Sequence, residues 1–251
     1  MNNVIVEFFG LPGIGKSTVS HELASLLSSK KIEVVEETRN IDVKKKPFYR
    51  QSIKILFAIK NIISNPSVRF RLIVEQLGVD QKNIKSKIKL IVNYLYICQI
   101  YENCESKNGV KIIDQGLLQA AWSLLVEKGD DRDIENIKSH LKEDIKKIKK
   151  NSYIIINLEA DERLIVERIN KRINGKSRMD TLTNEKELIK SIVRGKEVEE
   201  IICQKVGEYK NIESVESIKL IRVLNEGGGA SKQISKKLLE IMKYQEEYNY
   251  N

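Results

Sequence analysis

The chain has 251 residues and 28.9 kDa, 41% of them apolar and 31% charged, which suffices for one domain with a substantial core and excludes wholesale disorder. Lysine and arginine total 44 against 35 acids, a net charge of +9; 33 of the cations are lysines scattered along isoleucine-rich stretches of helical period. Lysines so placed, with no aromatic residues interleaved, form solvated helix faces, so specific nucleic-acid binding is not expected, although the excess charge suits an anionic ligand.

The first elements come quickly. Asn3 to Phe9 is a buried strand, followed by a glycine-rich turn and a helix from about Lys16 to Ser29. Ile32 to Glu36 is a second, short β-branched run. From Arg50 to Asn108 there is no strand-like run; Pro47 and Pro66 mark helix starts, and about three helices are expected, the stretch Lys89 to Tyr101 being buried. Val110 to Asp114, Tyr153 to Leu158 and Ile218 to Leu224 are the third, fourth and fifth strands, and a last helix begins near Ser231. Near-continuous apolar strands alternating with helices predict an α/β fold: a five-stranded parallel sheet with helices on both faces and a helical insertion between strands 2 and 3.

No apolar run reaches the roughly 18 residues that cross a bilayer. MNNVIVEFFG carries no basic leader, so a cytoplasmic protein without membrane partners is expected. Cys98, Cys104 and Cys203, with His21 and His140, support neither a disulfide framework nor a zinc site.

Gly10-Leu-Pro-Gly-Ile-Gly-Lys-Ser-Thr18 fits G-x-x-x-x-G-K-[ST], the phosphate loop known as Walker A. Composition alone would yield roughly 0.01 such matches per chain, and this one sits between a strand and a helix, where its mechanism requires it. Gly10, Gly13 and Gly15 let the backbone around Ile14 turn its N–H groups onto an anion, and Lys16 reaches the β- and γ-phosphates. The Ser17 hydroxyl ligates Mg²⁺, and the helix opening at Lys16, Ser17 and Thr18 presents its positive end. These residues therefore bind a nucleoside triphosphate with Mg²⁺.

Several phosphate-loop classes lack their marks here. Asn170-Lys171 continues into Arg172-Ile173 and is no guanine-reading motif. Glu226-Gly-Gly-Gly-Ala-Ser231 is no transporter signature, and Val110-Lys-Ile-Ile-Asp-Gln115 lacks the acidic pair of a ring ATPase. An acid such as Asp114 at the carboxyl end of a strand beside a phosphate loop is placed to hold Mg²⁺ or its waters; the competing reading is a helix N-cap. Glu162 to Asp180 is arginine-rich: four of the chain's 11 arginines (Arg163, Arg168, Arg172, Arg178) fall within sixteen residues. A lysine-rich chain that turns locally to arginine uses the guanidinium fork, unless this is only a basic surface helix.

With these marks the chain resembles the small P-loop nucleoside and nucleotide kinases, deoxynucleoside and thymidylate kinases among them. The resemblance implies a P-loop NTPase three-layer fold over one domain, residues 1–251, with a helical acceptor-site insertion at about 44–108 and an arginine-rich lid at about 168–182. It implies that Glu37, after the second strand, is the base on the acceptor hydroxyl, with Glu36 as the competing acid, and that Arg172 and Arg178 close over the phosphates. Two positions depart from the pattern: Thr38 stands where a proline is usual, and Gln115 where an arginine follows the acid. Asn225-Glu-Gly-Gly-Gly229 resembles the loop that skirts the adenine. Phe48, Tyr49, Arg50, Phe57, Arg69, Arg71, Tyr94, Tyr96 and Tyr101 supply candidates for the acceptor site, most of them expected in the core or on the surface.

The expected function is an ATP- and Mg²⁺-dependent phosphotransferase acting on a nucleoside, nucleotide or similar small hydroxyl-bearing molecule. Lys16, Glu37, Asp114, Arg172 and Arg178 carry the chemistry and Ser17 and Asp114 the metal; a homodimer is left open. The alternative is a nucleotide-binding switch or accessory ATPase that signals to a protein partner.

Overall fold

The computed structural model describes residues 4–42, 47–78, 83–104, 109–126, 131–148, 152–171, 185–209 and 218–248. In chain order the elements are β1 (Val4–Phe9), α1 (Lys16–Ser29), β2 (Val34–Glu36), α2 (Glu37–Asp42), α3 (Pro47–Ser64), α4 (Pro66–Gly78) and α5 (Ile84–Cys104). Then follow β3 (Val110–Ile113), α6 (Leu117–Leu125), α7 (Asp131–Lys146), β4 (Ser152–Glu159), α8 (Glu162–Asn170), α9 (Glu185–Tyr209), β5 (Ile218–Leu224) and α10 (Ala230–Tyr248). The prolines at the first positions of α3 and α4 need no N–H there, which is why both helices start on them.

The five strands form one parallel sheet in the order β2-β3-β1-β4-β5. Val4 of β1 pairs with Val110 on one side and Ser152 on the other, so all carboxyl ends lie along one rim. β1 is buried throughout and β4 nearly so, as continuous apolar strands covered on both faces must be. The edges are blunted, β2 by its three-residue length and β5 by the exposed Arg222, which reaches Glu200. Right-handed crossovers running in opposite directions from β1 put α1 on one face and the later crossover helices on the other. Accordingly α1 packs with α10, while α6 packs with α5 and α9.

Three strands differ from expectation at their ends, β4 by running one residue further each way, Ser152–Glu159. Ile32 does not enter β2, because its N–H bonds the Leu27 carbonyl in the turn that ends α1, where Lys31 takes a φ of 63°. Asp114 lies one residue beyond β3.

A buried carboxyl ties the two halves of the core together. Glu7, in the middle of β1, accepts the N–H groups of Leu117 (3.1 Å) and Leu118 (2.7 Å), so it caps α6, whose own N-cap, Gly116, offers no side chain. Tyr101 and Tyr153 donate their hydroxyls to the same carboxyl. Burial raises the Glu7 pKa against the pull of the two tyrosine hydroxyls and of the backbone N–H groups of Leu118 and Gln119. A Cβ at position 116 would run into that carboxyl, which fixes glycine there. Among the described residues no helix is long and apolar enough to cross a membrane.

Candidate active site

β1 lies between β3 and β4, so the chain leaves it in one direction and returns on the other side. A crevice opens over the carboxyl rim at such a switch point. The phosphate loop fills it. Gly15 is the left-handed N-cap of α1 (φ 98°), and a Cβ there would come within 2.7 Å of Asn225 Nδ2. Gly10 (φ 139°) leaves β1 beneath the Leu158 carbonyl, 2.6 Å from where a Cβ would stand. Gly13 turns against Ile169 of α8, and the Ile14 side chain is buried under the loop.

Lys16 folds back across its own loop, donating to the carbonyls of Gly10 (2.5 Å) and Leu11 (2.9 Å). Ser17 and Thr18 are exposed at the first turn of α1. The Ser17 hydroxyl donates to Asp114 Oδ2 at 2.8 Å. The other carboxylate oxygen of Asp114 accepts the Thr38 hydroxyl at 2.5 Å, and the Asp114 N–H returns to Thr38 Oγ1 at 3.3 Å. With α6 capped by Glu7, Asp114 is free of the N-cap role and its carboxylate faces Ser17. Thr38, noted in the sequence only as a departure from proline, fixes that orientation.

Glu36 and Glu37 part at the end of β2. The Glu36 carboxylate takes His21 Nδ1 (3.0 Å) and lies 3.8 Å from Arg39. Glu37, half-buried, opens α2 beside Thr38.

From the far side of the loop, Asn225 donates to the Ile14 carbonyl (2.8 Å), and its backbone N–H bonds the Glu159 carbonyl (2.8 Å). Arg168, near the end of α8, donates to the same Ile14 carbonyl (3.0 Å) and to the carbonyl of Asn225 (3.4 Å). It thus clamps the phosphate loop to the loop after β5, a role sequence spacing did not show. Arg172, Arg178 and most of the expected lid lie outside the described residues. Gly227, Gly228 and Gly229 all take positive φ in open surroundings.

One further acid belongs to the neighbourhood. Glu199 of α9 is buried, and desolvation pushes its pKa up to about 7 against the pull of Asn157 and of the Lys16 charge. Nothing in the sequence around α9 marked it, since it reaches the loop only through the packing of the second helical layer.

Of the aromatic and cationic acceptor candidates, Tyr94, Tyr96 and Tyr101 are buried in the core, Phe57 packs on Tyr96 (ring centroids 5.9 Å), and Arg69 is buried against Asp144. Arg71 pairs with Glu143, while Phe48 and Tyr49 are exposed.

The donor set fits a magnesium nucleotide. Mg²⁺ takes hard oxygen ligands and is usually held by one or two carboxylates plus substrate phosphates, and a hydroxyl and a carboxylate 2.8 Å apart at the mouth of an anion cradle supply that set. A site built wholly from protein ligands is not found: the described residues contain no cluster of three or more histidine, cysteine or acidic side chains able to hold a metal.

No family model and no curated protein matches the chain. Among solved structures, the shikimate kinase from Acinetobacter baumannii in complex with shikimate is similar at 14% identity, with a TM-score of 0.48, over 96% of this chain and 94% of that one. The phosphate loop at the end of the central strand, in a five-stranded parallel sheet with helices on both faces, gives the chain a P-loop NTPase fold.

Proposed function

We propose that the chain is an ATP- and Mg²⁺-dependent phosphotransferase acting on a nucleoside, nucleotide or similar small hydroxyl-bearing molecule. The observation that carries this reading is the approach of the Ser17 hydroxyl to the Asp114 carboxylate, 2.8 Å apart beside the loop that Lys16 spans. In the apo protein the Lys16 ammonium rests on two carbonyls of its own loop, partners that phosphate oxygens replace with stronger, charge-assisted bonds. Backbone N–H groups of the loop and the start of α1 then hold the β- and γ-phosphates. Mg²⁺, held by Ser17 and Asp114, neutralises charge on the phosphate oxygens when bound.

In the transfer the acceptor oxygen bonds the γ-phosphorus, the bond from that phosphorus to the bridging oxygen breaks, and ADP leaves with the electron pair. Glu37 takes the acceptor proton, and Arg172 and Arg178 stabilise the spread charge on the phosphoryl group. Placement of Glu37 beside Thr38, with Glu36 turned to His21, supports Glu37 as the base.

The test is ADP release from Mg-ATP against a panel of nucleosides, nucleoside monophosphates and other small polyols. One acceptor should raise turnover far above the rate in water and appear phosphorylated by mass spectrometry. Release that no small acceptor accelerates, but a protein partner does, would replace this reading with that of a switch ATPase.

A further inference from the structure

Helix α3 carries apolar residues on two opposite faces. Its inner face packs on α5, through Phe57 on Tyr96 and Asn61 on Glu102. Its outer face carries Phe48 (86% exposed), Ile55 (50%), Leu56 (63%), Ile59 (47%) and Ile63 (74%), with Ser52 among them. A helix that is apolar all round is ordinarily buried all round. The outer stripe exposes roughly 500 Å² of apolar side chain, at the upper end of what monomeric proteins leave uncovered.

We infer that this stripe is covered by the same stripe of a second copy of the chain, the two α3 helices packing antiparallel about a twofold axis. Three observations select that occupant. First, the stripe is self-complementary: reversing the helix about the midpoint between Ile55 and Leu56 carries position 48 onto 63, 52 onto 59 and 55 onto 56. The largest side chain, Phe48, then meets Ile63, and the smallest, Ser52, meets Ile59. The Ser52 hydroxyl is already bonded to the Phe48 carbonyl (3.2 Å), so it brings no unsatisfied group into the seam.

Second, charge permits self-pairing and does not favour a lipid surface. Within α3, at helical spacing, the stripe is flanked by Gln51 on one edge and by Tyr49 and Lys60 on the other, whereas a helix lying on anionic lipid carries a row of cations along its length. Lys54, the cation between them in sequence, is turned inward to Asn93 and the Tyr96 ring. In the antiparallel pair the two Lys60 residues stand about 13 Å apart along the axis, beyond the roughly 10 Å screening length of 0.1 M salt.

Third, the area is suitable. A standard interface takes roughly 800 Å² from each partner, and the stripe supplies most of that as an apolar centre before its rim is counted. The symmetry is closed and isologous, so assembly stops at the dimer. This inference stands independently of the proposed chemistry.

Sedimentation at micromolar concentration should give twice 28.9 kDa for the wild type and 28.9 kDa for Leu56→Glu, with unchanged circular dichroism because Leu56 is exposed. Register is read by oxidation. Leu56→Cys, beside the axis, should cross-link between copies, and Phe48→Cys, about 22 Å from its mate, should not. The three native cysteines are buried and in no disulfide, so they leave the assay clear. A monomeric wild type, a Leu56→Glu variant that stays dimeric, or cross-linking at position 48 in place of 56 would overturn the inference. So would a wild type that stays monomeric but floats with phosphatidylserine vesicles, which would assign the stripe to lipid.

Discussion

Charged side chains converge at two places in this molecule, with opposite results. Under α4, α5 and α7, Arg69 and Asp144 form a bidentate pair (2.6 and 2.9 Å) with side chains only 1% and 3% exposed. Tyr94 donates to the same carboxylate at 3.0 Å, and Cys98, its thiol pKa pushed well up by burial, points there too. Those charges are spent on each other. At the carboxyl rim the Lys16 ammonium donates to backbone carbonyls of its own loop, and the Asp114 carboxylate accepts two hydroxyls. Fork against fork makes a structural strut; under the proposed function, phosphate and metal would improve on the neutral carbonyls and hydroxyls that these two rim charges bond.

Removing one half of the strut should do the greatest damage. Asp144→Ala leaves the Arg69 guanidinium buried and unpaired, at a cost of about 3–5 kcal/mol in unfolding free energy by urea titration. Phosphoryl transfer by the molecules that remain folded should be little changed. Lys16→Ala inverts that pattern. Melting should hold to within about 1 kcal/mol, since the ammonium's hydrogen bonds go to carbonyls of its own loop. Transfer should fall about 10²–10³-fold, the usual cost of losing one donor to the developing charge. Near-full transfer by this variant would refute the proposed function itself.

The two regions were not equally legible in the sequence. The phosphate loop is local: all its glycines, Lys16 and Ser17 fall within eight residues, and its spacing fixes its chemistry before any fold is known. The same holds for the strands, whose apolar runs are continuous because both faces are covered. The partners that complete the site are distant. Thr38 meets Asp114 across 76 residues, Arg168 meets Ile14 across 154 and Asn225 meets it across 211. Arg69 could be read as an acceptor-site cation because Asp144, 75 residues on, sits in a helix whose period gives no hint of it. Glu7 lay hidden for the opposite reason: a single acid in an apolar strand has no spacing to read, and its role as the cap of α6 depends on β3 lying next to β1.

Glu199 sharpens the comparison, being a buried acid beside Lys16 with no arginine fork of its own. Folded, it holds its proton up to about pH 7, against 4.5 as the ordinary value. The folded state therefore binds the proton more tightly than the unfolded state. Stability from this group is full below about pH 4.5, falls as pH rises to 7, and changes no further above. Glu199→Gln keeps the neutral form at every pH. Without nucleotide it should match the wild type near pH 4.5 and exceed it at pH 8 by up to about 3 kcal/mol. Urea titrations at the two pH values decide this; a constant difference between variant and wild type would mean that Glu199 does not titrate in this window.

The smallest expected effect tests the most particular contact. Thr38 meets Asp114 twice, as donor to Oδ1 and as acceptor from the Asp114 N–H. Thr38→Val keeps the shape but removes both bonds, and should cost about 1–2 kcal/mol of stability because the Asp114 N–H loses its partner. The informative readout is nucleotide affinity with and without Mg²⁺. If Thr38 aims the carboxylate at Ser17, the variant should lose several-fold in Mg-ATP affinity by calorimetry, while metal-free ATP, held by the loop and Lys16, binds as before. Thr38→Ser restores the hydroxyl and should recover the metal-dependent part. An equal loss with and without the metal, or none in either, would mean that Thr38 only braces the end of β3, and that Ser17 alone orients Asp114.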